Sequence, residues 1–129
     1  MTRSSAGALM SQNGSIFAVL QAESGVLIAE RARAADSPAA RSRGLLGRDR
    51  LEPGEALWIT PCEAVHTFFM RFAIDCVFLN RRKRIVKIVR NLKPWRIAGA
   101  WRAHSVLELP AGSADRCQLE VANQLVFRH

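Results

Sequence analysis

No window of the chain approaches ~18 consecutive apolar residues, so it offers no candidate transmembrane helix. Cysteine is scarce: Cys62, Cys76 and Cys117 are widely spaced and odd in number, which argues against a disulfide framework. That usage fits a reducing compartment. Cys76 lies in an apolar run and reads as a small core residue. There is no P-loop, G-x-G-x-x-G, G-x-S-x-G or H-E-x-x-H, which removes the common signatures of nucleotide binding, α/β-hydrolase and zinc-protease chemistry. The opening residues contain one Arg but no apolar stretch of useful length. The expectation is therefore no signal peptide and a cytoplasmic location. Acidic residues are missing altogether from Cys76 to Leu107.

What is present supports one domain. The chain has 129 residues and 49% hydrophobic content, enough for a core that needs neither metal nor disulfide. We expect residues 1–14 to be a loose tail and residues 15–129 a single domain. A formal net charge of +8 would steer anionic partners toward it. A generally basic composition with no functional meaning would give the same number.

The apolar runs Ile16–Ala22 and Val26–Glu30, split by Glu23-Ser24-Gly25, read as a hairpin. Ser37-Pro38 is an N-cap followed by Pro at the first helical position, and Gly47 is a plausible stop. The longest helix is expected there, with Leu45 and Leu46 turned inward. Ala56–Thr60, Thr67–Met70, Ile74–Leu79, Ile85–Leu92, Ser105–Leu109 and Gln124–Phe127 read as strands or extended pieces. In Ile85–Leu92, Val86 and Ile88 should share one face and Ile85, Lys87 and Val89 the other. Ser113–Cys117 reads as one helical turn. The fold class expected is mainly β, a β-sandwich or partly closed barrel with one or two short helices.

Five segments in order resemble the bacterial and archaeal family named domain of unknown function 192. They are Arg41–Arg48 (RSRGLLGR), Gly54–Ile59 (GEALWI), Val65–Leu79 (VHTFFMRFAIDCVFL), Ile85–Trp95 (IVKIVRNLKPW) and Val106–Gly112 (VLELPAG). The resemblance implies a compact, mainly β fold and no established activity. Ala73, Cys76 and Ala122-Asn123 stand where that family usually carries Pro, Val and Gly-Asp. Many members are exported, in contrast to the cytoplasmic expectation here.

The segment Pro61–Leu79 is strongly apolar yet holds His66, Thr67, Arg71 and Asp75. Such groups enter a core only when paired or hydrogen-bonded. Asp75 should share a face with Val77 and Leu79, so a cation is expected beside it: Arg41, Arg43, Arg48 or Arg71, with Arg48 and Arg43 preferred. It is either a structural ion pair or a ligand-binding or proton-moving carboxylate. His66 and Thr67 are either a site at a strand end or a local hydrogen-bonding device. Cys62 and His66 have C-x-x-x-H spacing, with Cys76, Cys117 and His104 as further metal candidates, but a zinc site wants two paired elements and only one half exists. A Cys62 nucleophile with His66 as base lacks an oxyanion-hole motif.

The preferred reading is a small binding or accessory domain without cofactor or metal, present as a monomer or weak dimer. Its site lies between the Arg41–Arg48 helix and the Thr67–Leu79 strand and takes a small polar or anionic ligand. The ligand-binding set is Arg41, Arg48, His66, Thr67, Asp75 and Glu108, the last from the strand Ser105–Leu109. The first alternative is an enzyme using His66 and Asp75 as acid and base. The second is a weak, non-specific nucleic-acid binder. It would use residues 81–102, where Arg and Lys are interleaved with Trp95 and Trp101.

Overall fold

The computed structural model describes residues 16–129, and the expected tail 1–14 lies outside them. In chain order the elements are β1 (Ile16–Gln21), β2 (Leu27–Ala35), α1 (Pro38–Arg43), β3 (Glu55–Ile59), β4 (Ala64–His66), β5 (Ile74–Leu79), β6 (Ile85–Leu92), β7 (Ile97–Gly99), β8 (Ser105–Pro110), α2 (Ser113–Arg116) and β9 (Leu125–Arg128). Seven strands form one sheet in the order β9-β1-β2-β3-β8-β5-β6, and β4 and β7 pair separately. Among the described residues every pairing is antiparallel except β2–β3. The fold is mainly β as expected, sandwich-like, and its sheets do not close into a barrel.

The large sheet carries a core on each face. One face holds Phe17, Val19, Ala32, Val77, Leu79, Leu107 and Leu109, covered by Ala114 of α2 and by Leu119. The other holds Leu57, Ile59, Ile74, Cys76, Phe78 and Val106 under Leu45, Leu51, Val65, Met70 and Leu92. Because both faces are covered, β5 is buried at all six positions.

The Ser-Pro helix start behaves as its chemistry requires. The Ser37 hydroxyl accepts from the Ala40 N–H at 3.1 Å, and Pro38 is the first residue of α1, the longest helix among the described residues. The helix stops at Gly44, whose φ is 49°, earlier than Gly47. Leu45 turns inward, whereas Leu46 remains 36% exposed.

Three local expectations change. The strand begun at Leu27 continues to Ala35 through Arg31–Ala35, a composition that suits a helix equally well; parallel register with β3 (Arg31↔Glu55 to Ala35↔Ile59) decides it. Thr67–Met70 is a loop rather than a strand. In β6 the pairing slips between Phe78 and Leu79, so Ile85 and Ile88 join one core and Val86 and Val89 the other. A bulge breaks the two-residue period.

Candidate functional site

Six positions were expected in one site, and the sheet divides them. Side chains alternate across a strand. Asp75 pairs in register with Leu109, and both enter the core under α2. Glu108 pairs with Cys76, whose side chain enters the other core. Asp75 and Glu108 therefore occupy opposite faces of the sheet.

Asp75 is 1% exposed, but its expected Arg partner is absent among the described residues. Backbone amides satisfy it instead. Oδ1 accepts from the Asn91 N–H at 2.9 Å; Oδ2 accepts from Gly112 at 3.1 Å and Ala114 at 2.9 Å. Gly112, at φ 93°, turns the chain into α2 so that its N–H and that of Ala114 both aim at one oxygen. The carboxylate thus caps a helix start and fills the β6 bulge opposite itself, where Arg90 and Asn91 stand between Val89 and Leu92. This is a structural clasp.

Arg48 is also committed elsewhere. Its Nη2 lies 2.7 Å from Glu55 Oε1, which also accepts from the Glu52 N–H at 2.9 Å. Burial pushes the Glu55 carboxyl up, but these two contacts, together with the charges of Arg48 and Arg31, outweigh it and hold the group below its usual range. Arg71 pairs with Asp49 at 2.6 Å.

Thr67 is fully buried and joins two loops. Its hydroxyl donates to the Lys93 carbonyl at 2.6 Å and accepts from the Arg96 N–H at 2.9 Å. Its own N–H donates to Arg96 O, and its carbonyl accepts from Met70 and Trp95. The clasp displays an aromatic ledge: Phe68 stacks between His66 (4.9 Å) and Trp95 (5.8 Å), and Phe69 leans on Trp95 at 4.7 Å. Phe69 and Trp95 take left-handed backbone, with φ of 66° and 67°, while 71% and 55% exposed. Bulky residues adopt that conformation only where their surroundings impose it.

Arg41, His66 and Glu108 do come together, around a cavity of about 310 Å³ between α1 and β4. Arg48, Thr67 and Asp75 do not line it. Leu45, Ile59, Val65 and Met70 supply apolar wall, and Cys62 lies on the same lining. Burial pushes the Cys62 thiol up, and its Sγ donates to the Ala64 carbonyl at 3.0 Å, so it is a protonated thiol rather than a nucleophilic thiolate. His66 is exposed, and its Nδ1 accepts from the Phe68 N–H at 3.3 Å.

Glu108 is the unusual member. It is 4% exposed, and none of the described residues donates a hydrogen bond to its carboxyl. Burial pushes that carboxyl up to about 7. A buried carboxyl normally has donors or a cation, as Asp75 has three donors. Glu108 has the cavity.

The family described as "Uncharacterized ACR", domain of unknown function 192, matches residues 18–127. The chain belongs to this family. Among its relatives are UPF0127 proteins of Pyrococcus. The Pyrococcus horikoshii protein is 35% identical over 100 residues, covering 72% of this chain and 84% of the relative. The Pyrococcus furiosus protein is 41% identical over 63 residues, covering 48% of this chain and 53% of the relative, so the match spans about half its length. Two crystal structures share the fold. A Novosphingobium aromaticivorans protein of unknown function aligns at TM-score 0.74 and 19% identity, over 86% of this chain and 83% of its own. A putative transcription regulator of Sinorhizobium meliloti 1021 aligns at TM-score 0.76 and 20% identity, over 90% and 98%.

In this member of the family, Arg43, expected beside Asp75, is instead the cavity's second rim cation, and the ledge residue Phe69 is one the sequence did not single out. Arg43 follows Arg41 by two on the short helix, a spacing that predicts divergence.

Proposed function

We propose that this domain binds a small polar ligand in the cavity between α1 and β4. One observation carries the reading: Glu108 is a buried carboxyl without a partner among the described residues, and it lines a concave space with apolar walls and two arginines. Convergent polar groups in a largely apolar cleft are the usual make-up of a small-molecule site. The volume of about 310 Å³ lies at the small end of such sites. The class is a binding module. Asp75 lies on the far face of the sheet, which argues against acid–base chemistry by His66 and Asp75 as a pair.

Native mass spectrometry of the purified chain tests this. A non-covalent adduct is expected that is absent from Ser42→Trp, an exposed helix position whose new ring would fill the opening. An adduct held equally by both proteins would place the ligand elsewhere.

A second reading rests on a different surface. Asn80, Arg81, Arg82, Arg102 and His104 border a shallow groove, and beside it Trp101 is 83% exposed with the Arg102 guanidinium 4.4 Å from its ring centre. Cations flanking an exposed indole suit a single-stranded phosphate backbone with a stacked base. Filter binding of a labelled oligonucleotide at two salt concentrations tests it. The affinity should fall steeply with salt and drop in Trp101→Ala.

A further inference from the structure

The cavity is charged in a definite order. Its most buried polar group is the Glu108 carboxyl, which no described residue satisfies. Its helix side carries Arg41, half-buried, and Arg43, exposed. Arg41 Nη1 donates to the Asp36 carbonyl at 3.1 Å, and neither guanidinium meets a carboxylate among the described residues. Between the two ends the wall is aliphatic, from Leu45, Ile59, Val65 and Met70.

Each simple ligand class leaves something unmatched here. A plain anion suits the arginines but sets its charge against a carboxyl in a low-dielectric site. A plain cation suits Glu108 but must pass two arginines. An apolar molecule leaves both ends without partners, and a buried polar group without a partner is costly. A molecule with a donor-rich cationic head, a short apolar body and an anionic tail meets all three parts.

We propose, resting on the cavity reading above, that the ligand is a small zwitterion. Its ammonium group bonds the Glu108 carboxylate, and its carboxylate or phosphate bonds Arg41 and Arg43. Ion pairing to a mostly buried group without another partner among the described residues is worth more than the same pair at the surface. Specificity follows from Glu108, because a ligand lacking the amine strands its carboxyl. The other titratable groups facing Glu108 are the Cys76 thiol from β5 and, across the cavity, Cys62, His66, Arg41 and Arg43.

Three probes of matched length separate the possibilities: 5-aminopentanoate, pentanoate and pentylamine, titrated into the ¹⁵N-labelled full chain at pH 7.5. The zwitterion should shift the amide signals of Leu45, Cys62 and Ala64 and bind at least tenfold more tightly than either single-charge probe. Glu108→Gln and Arg41→Ala should each weaken it about tenfold. Arg41→Ala alters only a half-buried helix position, so it remains informative if Glu108→Gln misfolds. Pentanoate binding as tightly as the zwitterion, or an unchanged affinity in both variants, overturns the zwitterion while leaving the cavity as a site. Silence of the cavity amides to all three probes also overturns it. The adduct comparison with Ser42→Trp then tells whether the cavity reading falls as well.

Discussion

Glu108 stands directly opposite Cys76 in the antiparallel β5–β8 pair. A carboxyl and a thiol thus share an apolar face, and burial pushes the Cys76 thiol up, so it brings no charge. Neither side chain helps the other to ionise. That leaves the carboxyl dependent on the cavity for any stabilising partner.

Its protonation should register in folding stability. The folded-state value of about 7 lies above the ordinary 4.5. The folded chain therefore holds this proton more tightly than the unfolded chain. Stability is full below pH 4.5 and is lost as pH rises to 7 and beyond. The loss amounts to about 3 kcal/mol between pH 4.5 and 8. Denaturant unfolding of wild type and Glu108→Gln at pH 5 and pH 8 measures it. The variant should lack this loss, and parallel pH dependence in the two proteins would contradict the burial of an ionisable Glu108.

Asp75→Asn should cost about 2–4 kcal/mol, because an amide cannot accept all three backbone donors and turns N–H toward N–H. Amide hydrogen exchange at Gly112 and Ala114 should speed up with it. The cavity lies on the other face, so signals from Cys62 and Ala64 should stay in place. An equal disturbance of both faces would refute the assignment of Asp75 as a local clasp.

Thr67→Val keeps the shape but removes a hydroxyl that both donates and accepts. Two part-buried backbone groups, Lys93 O and Arg96 N–H, then lose this partner, at about 1–3 kcal/mol. Trp95 fluorescence should shift as the ledge loosens. Thr67→Ser should retain most of both properties, and a Val variant as stable as wild type would show that water replaces the hydroxyl.

His66→Ala removes an exposed ring that stacks on Phe68, so stability should change by about 0.5 kcal/mol or less. Ligand retention in native mass spectrometry should fall. A loss of 2 kcal/mol or more in thermal unfolding would make His66 part of the scaffold instead.

Much of the fold was legible because local rules and tertiary packing agreed. The hairpin at Glu23-Ser24-Gly25, the Ser37-Pro38 helix start and the apolar runs of β5 and β8 each carried one unopposed signal. Where the reading failed, a non-local partner decided. Arg31–Ala35 became a strand through its parallel register with β3, and β6 lost its alternation to a bulge. The site shows the same division. Period two placed Asp75 correctly with Val77 and Leu79, but composition suggested an Arg, whereas the donors are backbone N–H groups, which no residue type reveals. Glu108 was named without a partner, and its isolation is a property of what surrounds it rather than of its neighbours in sequence.

The strand β5 belongs to both cores at once, with alternate side chains facing Leu107 and Val106 on the two sides. Binding on one face is therefore linked to opening on the other. A ligand that holds the cavity closed adds its free energy to any unfolding event that must separate β5 from β8. The hydrogen-bonded amides beneath α2, such as that of Ala114, should then exchange more slowly, although they never touch the ligand. Protection at Ala114 would serve as a remote gauge of occupancy for a compound whose structure is unknown.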